Sequence, residues 1–189
     1  VIILGSGPNR IGQGIEFDTE IISILEHIDA IPGRLETVSV AEKDDVLVIV
    51  DFAHTPDSLE KALETVQQIE HNKVISVFGC GGDRDAKKRP LMAQIGVDKS
   101  DLAIFTADNP RTEDQAIIFA DMKEGLKGDN YRQIESRREA IYAAIEEAEA
   151  GDIILIAGKG HETTQIIGKE TFPFDDYQVA NQAILNKYV

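Results

Sequence analysis

Five short apolar runs do most to limit what this chain can fold into: Val1–Leu4, Val46–Val50, Val74–Phe78, Leu102–Thr106 and Ile153–Ala157. Each is rich in β-branched or aliphatic residues, and a Gly or Asp follows within two positions. Runs this short, with no polar alternation, read as strands buried on both faces of a parallel sheet. Between them, apolar residues recur at helical spacing. Leu59, Ala62, Leu63, Val66 and Ile69 share one face of a helix beginning near Pro56, and Ala140, Ile141, Ala144, Ile145 and Ala148 share another. Thr55-Pro56-Asp57 is a helix start, with Thr as cap, Pro at the first helical position and an acid in the first turn.

Strands alternating with helices predict an α/β doubly wound, Rossmann-like and mostly parallel sheet with helices on both faces. Arg34–Val40 and Val46–Val50, joined by AEKDD, read as a hairpin, so at least one strand is expected to run antiparallel. Gln165–Gly168 and Thr171–Phe174 suggest a second, small hairpin. At 189 residues, 42% hydrophobic and 28% charged, the chain has the size and composition of one sizeable domain with a real core, and it is expected to fold as one.

The formal net charge of −15 argues against nucleic acid, which needs a basic stripe, but leaves room for a small ligand held by a few local cations. Cys80 is the one cysteine, so no disulfide can form within the chain, which suits a reducing cytoplasm. No apolar run approaches the roughly 20 residues of a bilayer span, so no membrane association is expected. VIILGSG is too short for a signal peptide, and the absence of an initiator Met suggests a trimmed or excised chain.

In doubly wound folds, ligands gather beyond the C-terminal ends of the strands. The segments DFAHTP (51–56), GCGGDRD (79–85), TADNPRT (106–112) and AGKGHE (157–162) all follow strands and are expected to form one rim. That rim combines Arg84 and Arg111 with Asp83, Asp85, Asp108, Asn109, His161 and Glu162. Guanidinium forks clasp carboxylates, carboxylates hold ammonium groups, and Asn109 offers both a donor and an acceptor. Pro110 stiffens the turn that presents Arg111, and glycines at 79, 81, 82, 158 and 160 admit a ligand close to the backbone. Together these describe a pocket for a small zwitterion such as an amino acid. The same residues also fit solvated loops tied together by Arg–Asp pairs.

Other chemistries lack their residues. A Walker A loop needs a Gly where Ile153 stands and a Ser or Thr where Gly160 stands, so Lys159 is assigned to loop structure. His54 and His161 have no partners at zinc spacing, and Cys80 stands by itself. His27 and His71 read as surface residues. Ser58 lies at a helix start and not in a nucleophile elbow.

From Ile31 onward, IPGRLE, DFAHTPDSLEKALE, VFGCGGDRDAKKRPLM, TADNPRTED and IAGKGHET closely resemble, in order and spacing, the C-terminal domain of the Mur ligases that add diaminopimelate to the peptidoglycan stem peptide. The resemblance is assigned to residues 19–189. It implies that Asp108, Asn109 and Arg111 of the DNPR stretch, with Arg84, Gly158 and Glu162, contact meso-diaminopimelate. It implies also that Arg34 and Asp51 reach ATP, with His54 lining the same nucleotide edge. In this family the ATP-dependent activation of a carboxylate relies on a P-loop and magnesium ligands held by another domain. This chain is therefore expected to bind no cofactor and to catalyse nothing by itself.

The opening GSGPNRIGQGIEFD fits less well. It resembles the strand–loop–helix that opens a carbamoyl-phosphate synthase large-chain repeat, up to about Asp18. As a dinucleotide fingerprint it is poor, because Gly5, Gly7 and Gly12 are spaced G-x-G-x-x-x-x-G and no acid-ended second strand follows. The reading drawn from this mismatch is an engineered chimera, with a βα fragment (1–18) grafted onto a Mur-type domain (19–189). The alternative is a genuine ligase fragment that works only with its other domains. A nucleotide-binding module built on the N-terminal loop is the least favoured of the three.

Overall fold

The continuous apolar runs become the centre of a sheet. A computed structural model describes residues 31–39 and 45–188. Six strands pair in the order β1-β2-β6-β3-β4-β5: β1 (Glu36–Val38), β2 (Leu47–Asp51), β3 (Val74–Phe78), β4 (Leu102–Phe105), β5 (Tyr131–Gln133) and β6 (Ile153–Ala157). β1 runs antiparallel to β2, with Thr37 opposite Ile49, and the other neighbours are parallel. A separate antiparallel pair, β7 (Thr164–Ile167) and β8 (Glu170–Pro173), is the small C-terminal hairpin. The described residues all belong to one compact unit, Ile31–Val189.

Side-chain alternation then divides the core into two layers. Ile49, Val74, Phe78, Phe105, Ile153 and Leu155 point to one face, where α1 (Pro56–Val66), α2 (Lys88–Lys99) and α3 (Gln115–Met122) cover them. Val48, Val50, Ile75, Val77, Ile104, Ile154 and Ile156 point to the other, under α4 (Arg137–Glu147) and α5 (Asp176–Tyr188). Every residue of β3 and β6 is buried, which explains why they read as apolar runs, broken only by Ser76 of β3, whose hydroxyl accepts from Ser100 Oγ at 2.8 Å. Thr55 caps α1 as expected, and Ser58 completes the cap by bonding back to the Thr55 backbone.

Some expectations shift. β2 ends one residue later than Val50, at Asp51, and β4 ends one residue before Thr106. α1 stops at Val66, so Ile69, expected on its buried face, lies beyond the helix and is 42% exposed. β5, with the sequence YRQ, carries no apolar run that would announce it. The strand expected at Val1–Leu4 and the glycine-rich loop after it lie outside the described residues. Among the described residues, no helix is long and apolar enough to cross a membrane.

Candidate functional site

Because β2, β3, β4 and β6 are mutually parallel, the four polar loops that follow them emerge on one rim. They enclose a cavity of about 420 Å³ lined by Phe52, His54, Thr55, Gly81, Arg84, Asp85, Lys88, Asp108, Asn109, Arg111, Gly158 and Glu162. All six residues expected to recognise an amino acid, Arg84, Asp108, Asn109, Arg111, Gly158 and Glu162, are in that lining. The rim glycines allow the loops to close on one another. A Cβ on Gly82 would lie 1.9 Å from the Pro110 carbonyl oxygen, so the loop after β3 and the DNPR loop touch backbone to backbone.

The DNPR loop is the most constrained part of the wall. Arg111 sits at φ 53, a left-handed conformation that non-glycine residues rarely adopt and that persists only when the surroundings impose it. The β7–β8 hairpin imposes it. Arg111 N donates to Ile166 O at 3.1 Å and Gly168 N donates to Arg111 O at 2.6 Å. Gln165 Nε2 donates to Asp108 O at 2.7 Å, and Ile166 N donates to Asn109 Oδ1 at 2.9 Å. The guanidinium is aimed by Nη1, which donates to Gly82 O at 2.9 Å and to Asn109 O at 3.3 Å. Among the described residues, its other nitrogens make no hydrogen bond.

Asn109 is 5% exposed. Its Oδ1 also accepts from Lys159 Nζ at 3.2 Å, and its Nδ2 donates to Glu162 Oε2 at 3.1 Å. The same Glu162 oxygen accepts from Lys159 Nζ at 3.0 Å. Partial burial works against the Glu162 carboxylate, but the bonded Lys159 ammonium, with Asn109 and Arg111, outweighs it and holds the carboxyl below the usual carboxylate range. Asp108, 8% exposed, lies against Gly158, where a Cβ would come within 3.0 Å of its Oδ2. Arg84 is exposed and donates Nη1 to the Asp83 carbonyl at 3.3 Å.

Loop tying, the other reading of these charges, is also real, and Arg111 shares in it through Gly82 O. Asp83 accepts from Thr112 N at 3.0 Å and from Thr112 Oγ1, while its own N–H donates to Glu113 Oε2 at 3.0 Å. Arg89, 1% exposed, donates to Glu113 at 2.6 and 2.7 Å, to Asp121 at 2.7 Å and to Gly81 O at 3.3 Å. Arg89 is thus the buried clamp between the loops after β3 and β4, while Arg84 and Arg111 line the cavity.

The residues expected at a nucleotide edge lie together beside the cavity. Arg34 stacks 4.7 Å above the Phe52 ring, which also meets His54 and His161 with centroids 4.5 and 5.3 Å away. Asp51, 9% exposed, accepts from Leu35 N and Ala53 N, each at 2.8 Å, so it holds the turn that carries Arg34. Among the described residues, each Asp51 carboxylate oxygen accepts one hydrogen bond, so each has a second lone pair. His54 Nδ1 lies 2.8 Å from Phe52 O. Gly33, at φ 69, fits this turn against the AGKGHE loop, since a Cβ there would lie 2.1 Å from His161 N.

Sequence reasoning missed Phe52, Lys88 and Gln165, and it gave Lys159 only a loop role. Phe52 was detectable as the aromatic immediately after Asp51. The others have no local signal, because their burial and partners come from distant segments. Cys80 is buried, and that burial pushes its thiol up to about 12. Among the described residues, no group of three His, Cys, Asp or Glu is placed to hold a metal ion. A larger cavity of about 760 Å³ lies across Pro110 and Arg111, and of the expected site residues only Arg111 lines it.

Comparison with known proteins gives one answer. A family model described as Mur ligase, glutamate ligase domain, matches residues 33–160. The UDP-N-acetylmuramoyl-L-alanyl-D-glutamate–2,6-diaminopimelate ligase of Bacillus velezensis is 50% identical over 187 residues, covering 98% of this chain and 38% of the relative. The enzyme of the same name from Bacillus cereus is 50% identical over 185 residues, covering 98% and 37%. A solved structure of a ligase of that name superposes with a TM-score of 0.79 at 43% identity, covering 94% of this chain and 36% of that one. The chain thus spans less than two fifths of the length of these curated relatives. The identity also overturns the chimera. An alignment over 98% of the chain leaves no room for eighteen foreign residues. A likeness of about eighteen residues to a carbamoyl-phosphate synthase carries no weight against a match along nearly the whole chain.

Proposed function

This chain belongs to the family of the Mur ligase glutamate ligase domain, and from that premise we propose that it is the part of a peptidoglycan ligase that receives the incoming amino acid, meso-diaminopimelate. The observation that carries the reading is the sorting of charge around one cavity. Arg84, Lys88 and Arg111 line it together with Asp85, Asp108 and Glu162. Diaminopimelate ends in a second centre that bears both a carboxylate and an ammonium. The free nitrogens of Arg84 and Arg111 suit the carboxylate, while Glu162 and Asp108 suit the ammonium. L-lysine lacks the distal carboxylate and would leave a half-buried guanidinium without its partner, which is costly.

The nucleotide edge belongs to the same reading. ATP supplies the phosphoryl group that activates the acceptor carboxylate. Arg34 would meet its phosphates, Asp51 its ribose hydroxyls through the free lone pairs, and His54 its flank. The sequence contains no Walker A loop, so the phosphate cradle and magnesium come from another part of the ligase, and this chain contributes amino-acid recognition and part of the nucleotide wall. A cytoplasmic location goes with that role. The test is reconstitution, in which the purified chain is mixed with the separately expressed preceding domains of a relative. The expected result is ADP release that requires both parts and meso-diaminopimelate. Release that is indifferent to this chain would refute the reading.

A further inference from the structure

Lys159 is 0% exposed, and a buried ammonium is tolerated only where its hydrogens find partners. Its side-chain partners are Asn109 Oδ1 at 3.2 Å and Glu162 Oε2 at 3.0 Å, both members of the cavity wall.

The consequence for Asn109 is chemical. Its Oδ1 accepts from Lys159 Nζ and from Ile166 N, which fills both lone pairs of an amide oxygen. Its Nδ2 spends one hydrogen on Glu162 Oε2, and the second, on a residue that lines the cavity, has no partner among the described residues. Turning the amide over would set its NH2 against an ammonium and a backbone N–H, donor against donor. The orientation is therefore forced by the network. On the other side, Glu162 Oε2 already accepts from both Lys159 and Asn109, so Oε1 is the free acceptor.

We infer that Lys159 is a specificity-determining positioning residue, which by bonding Asn109 and Glu162 at once fixes the first as a donor and the second as an acceptor toward the ligand. The cavity then has a fixed polarity. A ligand carboxylate goes to the Asn109 and Arg111 side, and a ligand ammonium goes to Glu162. This deepens the amino-acid reading and rests on it for the ligand, but the lock itself exists without a ligand and is tested first in its absence.

In the ligand-free chain, hydrogen exchange at the Ile166 amide reports the Asn109 acceptor. Lys159→Met removes the ammonium at similar length. The expected result is Ile166 exchange faster by about tenfold or more, with Ile154 and Ile156 of β6 unchanged. Unchanged Ile166 exchange in a folded variant would overturn the lock. If Lys159→Met does not fold, the wild-type chain decides the matter. Nζ protons of Lys159 that exchange slowly enough to correlate with the Asn109 side-chain amide support the lock, and rapidly exchanging Nζ protons overturn it. Binding is read second, with meso-diaminopimelate and its distal monocarboxamide as probes. Wild type is expected to prefer the carboxylate by about tenfold or more, and Lys159→Met to lose most of that preference. A folded variant that binds and keeps the full preference contradicts the role in specificity. If wild type binds neither probe while the exchange result holds, the amino-acid reading has failed and the lock has not.

Discussion

Arg137 and Asp176 form an ion pair with no solvent exposure on either side chain. Nε and Nη2 donate to the two carboxylate oxygens at 2.8 and 2.6 Å. Arg137 Nη2 also donates to Ala157 O at 3.0 Å, so the pair joins the start of α4, the start of α5 and the last residue of β6 just before Gly158. Removing one partner strands a buried charge, which typically costs about 3–5 kcal/mol. Asp176→Ala is therefore expected to lower stability in urea by about that much. The double change Arg137→Leu with Asp176→Leu is expected to cost less than either single one. Chemical denaturation of Asp176→Ala, the two single leucine variants and the double variant checks both statements.

The Arg89–Glu113 clamp predicts an acid-sensitive rim. Arg89's hydrogen bonds hold the Glu113 carboxyl at about 2, against an ordinary 4.5. A depressed folded-state value means that the contribution is complete above the ordinary value and fades as pH falls from 4.5 toward about 2. At pH 7, Glu113→Gln is expected to be less stable than wild type by about 2 kcal/mol, the scale of a hydrogen bond to a charged group. The two curves should converge only as pH falls to about 2. Urea titrations across that range decide it, and a gap independent of pH would contradict the clamp.

Gly82 is a point where the loop after β3 cannot carry a side chain. A methyl group there would meet the Pro110 carbonyl at 1.9 Å, and Gly82 O is an acceptor for Arg111 Nη1. Gly82→Ala is expected to cost roughly 1–3 kcal/mol by forced displacement. It should also weaken diaminopimelate binding by about tenfold or more, because Arg111 loses its aim. Calorimetric titration beside a thermal melt separates the two effects.

Arg111 acts as a planar fork, so Arg111→Lys keeps the charge but loses the geometry. Affinity for meso-diaminopimelate is expected to fall by about tenfold to a hundredfold, the value of one or two charge-assisted hydrogen bonds. Affinity for L-lysine, which has no distal carboxylate, should stay as it was. Equal losses for both amino acids, measured by calorimetry, would count against a carboxylate-reading role.

The fold was legible where burial is symmetrical. β3 and β6, buried on both faces, were bounded to the residue because only the small, fully buried Ser76 interrupts their apolar side chains. β5 was not legible, since three edge residues reading YRQ gain their strand conformation from pairing with Ala103–Phe105 and not from their own pattern. Ile69 was misplaced because spacing continues past the point where the chain leaves the helix at Gln67. In the site, the charged residues after each strand were visible because topology sends all four loops to one rim. Lys159 and Gln165 were not, because the burial of the lysine and its bond to Asn109, like the bond of Gln165 to the Asp108 carbonyl, depend on segments 50 or more residues away. The foreign N-terminus was a wrong inference drawn from eighteen residues, too short a span to weigh against identity along the whole chain.

The most direct measurement is an amide NMR titration of the chain with meso-diaminopimelate, using L-lysine as control. The expected result is a saturable shift confined to Arg84, Asn109, Arg111, Gly158 and Glu162 and their neighbours, given by diaminopimelate and not by lysine. A folded spectrum that neither amino acid disturbs, or that both disturb equally, would contradict the claim that this rim reads a second zwitterionic centre.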